Sequence, residues 1–253
     1  MGIYLLVGFL GLVCGFFSGL LGIGGGIIMA PLLLYLPPLL GFAPLSMHTI
    51  AGLTIIQGLV ACVSGVVVHK HFKAVSGRLT AWMGTAIFLA ALLGGAGAGY
   101  VSQQVLLFIF GILALLAAIL MLVPAISEAR VPTVENLAFS RWRALLSGSA
   151  VGLLGGMVGQ GGSFILIPLM TSFVRIPTRI AIGSNLGIVL LSSVAGFLGK
   201  AFTGQIEWLL AVPLVITVVP AAQAGGILSH RMPVAMLRRI LGGIIFAAAV
   251  RIL

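Results

Sequence analysis

GFFSGLLGIGGGIIMAPLL, residues 15–33, is an apolar stretch with glycine at four of the five positions from Gly22 to Gly26. It sits inside an apolar run over 3–36, well beyond the roughly 20 residues that carry a helix across hydrocarbon. Glycine favours a break and a close backbone approach, and Pro31, further along, lacks a backbone donor. The stretch therefore predicts a helix broken near its middle, or a helical hairpin, and not one continuous rod. A second such stretch, GLLGGMVGQGGSFILIP over 152–168, lies inside the apolar run 144–174 and is interrupted by Gly159-Gln160-Gly161-Gly162-Ser163.

The rest of the chain agrees with a membrane reading. Of 253 residues, 61% are hydrophobic and 6% charged, and the mean hydropathy is +1.31. Soluble domains carry charge on about a quarter of their residues, so lipid is the solvent in which this composition is viable. Asp is absent, and the three acids are Glu128, Glu135 and Glu207, against 13 Lys and Arg. The bases fall in short loops between apolar runs, where orientation signals and lipid headgroup contacts belong. No basic stripe is interleaved with aromatics, which sets nucleic acid aside as a partner. Cys14 and Cys62 each stand alone in an apolar run, with neither metal nor disulfide spacing.

Eight apolar segments are expected: 3–36, 49–68, 79–99, 104–123, 144–174, 181–200, 208–229 and 234–253. The fold class this predicts is an all-α, polytopic transmembrane bundle, with two internal repeats whose first helices are broken. At a shift of 137, Gly11, Gly15, Gly19, Gly22, Gly24, Gly25 and Pro31 fall on Gly148, Gly152, Gly156, Gly159, Gly161, Gly162 and Pro168. Gly94, Gly95 and Gly111 fall on Gly225, Gly226 and Gly242. The organisation read from this is a first repeat over 1–126, a polar linker over 127–143 and a second repeat over 144–253. Gly11, Gly15 and Gly19, like Gly148, Gly152 and Gly156, recur every four residues and predict a smooth packing face for another helix. Eight simple spans would place eight bases on the side of the termini and five opposite, a weak preference for termini inside. A hairpin in the broken segment of one half only would make the count odd and invert the halves. The loops leave both arrangements open.

Broken helices at equivalent positions of two repeats point to a transporter's substrate site. A helix that begins within the membrane presents unpaired N–H groups and the positive end of its dipole to an anion. Gly24, Gly25 and Gly26 in the first half, with Gly161, Gly162 and Ser163 in the second, are the candidate backbone donors, and Gln160 and Ser163 add side-chain donors. Thr49, Ser184 and Asn185 open the next segment of each half and either cap those helices or line the same cavity. Gln57 and Gln223 lie inside apolar segments, where a lone amide is costly. His48 is the candidate for proton coupling, because histidine titrates near neutral pH. The remaining histidines lie at segment edges without ligand spacing, so no metal site is expected. No GxxxxGK[ST], HExxH, GxSxG or paired carboxylates occur, and neither a cofactor nor an enzyme activity is expected.

The run from Gly15 through Gly26 to Pro31-Leu32-Leu33, and its echo from Gly152 to Pro168 followed by Ile176-Pro177 and Ala181 to Leu186, resembles the sulfite exporter TauE/SafE family. The family's second repeat often reads Gly-Thr-Ser where this chain has Gly183-Ser184-Asn185. The resemblance implies a multi-pass permease of the cell membrane, such as the bacterial inner membrane, for a small sulfur-containing anion such as sulfite or an organosulfonate. Its partners would be that anion and membrane lipid, and a homo-oligomer is compatible with it. The alternative class is a non-transporting membrane protein that assembles with a redox or metabolic complex.

Overall fold

The computed structural model describes residues 2–71, 75–98, 101–122, 134, 137–158, 163–202 and 206–252. Ten α-helices and one π-helical turn make up the fold among these residues. The first half holds α1 (Gly2–Leu21), α2 (Gly26–Leu39), α3 (Met47–His71), α4 (Gly77–Ala98) and α5 (Gln103–Leu122). The second holds α6 (Arg141–Val158), α7 (Ser163–Leu169) continued by the π turn Met170–Val174, α8 (Thr178–Phe202), α9 (Trp208–Arg231) and α10 (Val234–Ile252). Both long apolar runs are thus two helices each, so the eight expected segments become ten helices.

Local chemistry starts these helices where they start. Ser46, Ser76, Ser102 and Ser140 each accept a first-turn N–H through their hydroxyl, from Thr49, Leu79, Val105 and Arg143, the usual serine cap. Pro233 directly precedes α10, where a missing N–H costs nothing. Five helices, α1, α3, α4, α8 and α9, are long and apolar enough to cross a membrane. Large side chains such as Leu5, Phe9, Leu93, Phe108, Ile216 and Phe246 stay exposed on the outer surface, as lipid-facing residues do.

The glycine stripes set the packing. Cβ atoms placed on Gly15 and Gly19 of α1 would run into Val218 and Ala222 of α9, and those on Gly152 and Gly156 of α6 into Ile87 and Ala91 of α4. Gly225 of α9 meets Phe16 of α1, and Gly94 of α4 meets Leu153 of α6, in the same way. Each of these joints crosses from one half of the chain to the other. Helices α3 and α8 pack together at the centre, each 67% buried over its span, against 39% for α4 and α9 outside them.

Named contacts give the directions. His69 near the end of α3 bonds both Gly19 near the end of α1 and His230 near the end of α9. At that same end, Arg179 of α8 reaches the His230 carbonyl and Ser184 of α8 meets Ser76 just before α4. Arg141, opening α6, lies 5.4 Å from the Trp82 ring near the start of α4. So α1, α3 and α9 finish where α4, α6 and α8 begin, and the second half runs opposite to the first. Five helices per half, an odd number, require that inversion.

Inversion also collects the bases. Arg78, Arg141, Arg143, Arg175, Arg179, Arg231 and Arg239 lie at the end where α4, α6, α8 and α10 begin, as do the chain positions of Lys70 and Arg238. Among the described residues, the chain positions of Lys200 and Arg251 alone lie toward the opposite end, with the start of α1 and the end of α10. The near balance read from eight simple spans disappears because α2 and α7 each turn the chain back and so reassign the loops.

Candidate functional site

Helix α1 stops at Leu21 because Gly22 turns left-handed, φ 69°, while its N–H still bonds the Ser18 carbonyl at 2.8 Å. Gly24 and Gly25 are also left-handed, at φ 69° and 83°, a conformation that costs an L side chain free energy. Space forbids side chains here as well. A Cβ on Gly22 would meet the Ile182 backbone of α8, and one on Gly25 would meet the Gln57 amide of α3. The Gly25 carbonyl accepts the N–H groups of Ile28 and Met29 at 3.1 and 3.0 Å, so α2 opens at Gly26 with its positive dipole end at the break.

Two amides from distant helices flank this break. Asn185 of α8, fully buried, donates from Nδ2 to the Gly22 carbonyl. Gln57 of α3, also 0% exposed, lies on Gly25, and among the described residues neither its Nε2 nor its Oε1 has a hydrogen-bond partner. An unpaired buried amide costs on the order of 1–3 kcal/mol. The hydroxyl of Ser18, one turn before the break, is also buried without a partner among those residues.

A small, partly open cleft starts at Gly26 and runs between α2 and α3. Pro31, Leu34, Ile50 and Phe110 make its wall apolar, and Val158, the last residue of α6, closes it. Thr54 is its polar member, and its hydroxyl donates to the Ala51 carbonyl at 3.0 Å. The cleft therefore reaches from just after the first glycine break to just before the second.

The predicted site residues divide. Gly24, Gly25, Gly26, Gln57 and Asn185 come together at the break. Ser184 is buried, and its hydroxyl accepts the Ser76 N–H at 2.9 Å, which fastens α8 to the start of α4. Thr49 pairs with Ser46 at 3.0 Å, and Ser46 is the residue that caps α3. Gln223 is exposed on α9, outside the buried cluster. Gln160, Gly161 and Gly162 lie outside the described residues, as do the side chains of Ser163 and His48. Sequence reasoning passed over Ser18, Ile182 and the histidines at positions 69 and 230. Ile182 and the two histidines meet partners between 50 and 161 residues away in the chain, so no local spacing signals them.

Comparison with known proteins places this architecture. The family model described as sulfite exporter TauE/SafE matches residues 7–252. A "probable membrane transporter protein" of Xylella fastidiosa is 29% identical over 248 residues, covering 94% of this chain and 90% of that protein. The "probable membrane transporter protein YunE" of Bacillus subtilis is 26% identical, covering 86% of this chain and 84% of its own length. No solved structure matches the chain. With nearly its whole length matched and its helices long and apolar enough to span a bilayer, this chain belongs to the sulfite exporter TauE/SafE family of cell-membrane transporters.

Proposed function

We propose that this transporter carries a small sulfur-containing oxyanion, and an organosulfonate in preference to bare sulfite. The observation that carries the reading is Gln57, a fully buried amide with neither polar atom paired among the described residues, set against Gly25 at the dipole-positive start of α2. A sulfonate group placed there would accept from the Gln57 Nε2 and from first-turn N–H groups of α2. The adjoining cleft is apolar, so it suits the organic body of a sulfonate better than a fully hydrated inorganic anion. The absence of Asp, and of Glu from the described helices, leaves no carboxylate there to repel the charge.

Anion-dependent thermal stabilisation of the detergent-purified protein tests this, since a ligand that binds the folded state alone raises its apparent stability. Sulfite, sulfate, phosphate, sulfoacetate, taurine and alkanesulfonates of increasing length form the panel. Stabilisation that grows with tail length and vanishes in Gln57→Leu supports the reading. Equal stabilisation by phosphate and sulfonates, or stabilisation that survives Gln57→Leu, overturns it.

A further inference from the structure

Helix α6 opens on Arg141-Trp142-Arg143, and all three side chains are exposed. Trp142, between the two bases, is 69% exposed. The arginines reach to different neighbours, and each lies over an aromatic ring. The Arg141 Cζ is 5.4 Å from the centre of the Trp82 ring on α4. The Arg143 Cζ is 5.5 Å from the centre of the Phe173 ring in the π turn, and its Nη1 donates to the Phe173 carbonyl at 3.3 Å. These contacts hold both guanidinia in place and leave them accessible.

Holding an exposed arginine still costs side-chain entropy, and here no opposite charge offsets it. Among the described residues the one acid is Glu207, just before α9 at the opposite end of the bundle. Two held cations without an acid, set on either side of an exposed indole, suit an anion that carries an apolar body. Position narrows the choice of anion. The other bases gather at this end, as they do on cytoplasmic faces, and tryptophan settles at headgroup level. Arg78, one turn before Trp82, and Arg175, two residues after Phe173, are exposed there as well.

We propose that the start of α6, with Trp82 and Phe173 beside it, binds the headgroup of an anionic phospholipid in the leaflet that this end faces. The lipid phosphate accepts from the Arg141 and Arg143 guanidinia, and Trp142 lies against the glycerol backbone and the upper acyl chains. Arg143 and Phe173 stand at the two ends of the second broken segment, because α6 leaves from this end and the π turn returns to it. Trp82 adds α4, which α6 meets through Gly148 and Gly152. A lipid on the two arginines therefore braces both legs of that segment and its joint to the first half of the chain.

Lipid titration of the detergent-purified, full-length protein tests this, with retained lipid counted by native mass spectrometry and thermal unfolding followed on the same samples. Phosphatidylglycerol is the anionic probe, phosphatidylcholine the zwitterionic one, and glycerol phosphate the headgroup anion without its chains. The expected result is one retained phosphatidylglycerol that raises the unfolding temperature, with neither effect from the other two. A base at the surface is worth about fivefold in affinity for an anionic lipid, so Arg141→Gln combined with Arg143→Gln is expected to bind roughly thirtyfold more weakly. Arg231→Gln combined with Arg239→Gln removes the same charge from the same end, on α9 and α10, and is expected to bind as the wild type does. Arg141→Gln alone leaves the Arg143 tie between α6 and the π turn in place and is expected to lose about fivefold, which keeps the test open if the double variant fails to fold. Equal weakening in the two double variants overturns the proposal, because diffuse charge is then enough. So does equal retention of phosphatidylcholine, the absence of any retained lipid, or stabilisation by glycerol phosphate that matches that by the lipid.

Discussion

At the scale of single residues, Gln57 is the group whose energetics run against the fold. Its amide lost its water on burial and found no partner among the described residues, so the native state carries that cost for a reason outside its own stability. Gln57→Leu keeps the volume and removes the unpaired atoms. The expected outcome is a protein more stable by about 1–3 kcal/mol in the absence of anion, with sulfonate uptake lost. Thermal unfolding and vesicle uptake on the same preparation check both halves of that statement. Asn185 makes the contrast: its Nδ2 is spent on the Gly22 carbonyl, so its loss is expected to loosen the break itself.

At the scale of elements, the joints between α1 and α9 and between α6 and α4 are backbone against backbone. Gly19→Ala would place a methyl on the Ala222 carbonyl of α9, and backbone cannot swing aside as a side chain can. A loss of about 3 kcal/mol or more is expected, at the upper end for overpacking. Gly243 of α10 has nothing within 4 Å of a built Cβ, so Gly243→Ala is expected to be neutral or to stabilise by up to about 1 kcal/mol, as Gly-to-Ala changes in open helix interiors do. Unfolding of the two variants in the same detergent compares them directly. Equal effects would mean that the stripes are not what holds these helices together.

At the scale of the whole molecule, the halves are interlocked: α1 of the first packs on α9 of the second, and α6 of the second on α4 of the first. Residues 1–126 expressed alone are expected to be degraded. Co-expressed with 127–253, they are expected to co-purify, which a tag on one half reads out. The basic residues gathered where α4, α6, α8 and α10 begin predict that this end faces the cytoplasm and both termini face outward. Alkaline phosphatase fused after Leu253 is expected to be active and a green fluorescent protein fused there dark. The opposite pair of results would reverse the orientation and put Arg141 and Arg143 at the outer surface.

What the sequence by itself determined follows from local rules and from solvent. Its hydropathy requires a lipid-embedded, all-helical chain, because every backbone polar group must be satisfied within a helix. The glycine runs at 22–26 required a break, since left-handed turns favour glycine over any side chain, and the fourfold spacing of Gly11, Gly15 and Gly19 required a close-packed face. Which groups meet across the bundle depends on how the ten helices pack. Gln57 could be named as a costly amide, but not as the neighbour of Gly25. Ser184 and Asn185 stand side by side in the chain, yet one fastens α4 and the other holds the first break. His69 reads from the sequence only as a segment-edge residue, and the fold sets it between Gly19 and His230. Helical period and residue type are properties of neighbours in the chain. Direction, inversion and pairing depend on which faces of ten helices minimise unpaired polar groups and empty space together, and that choice is made by the whole molecule at once.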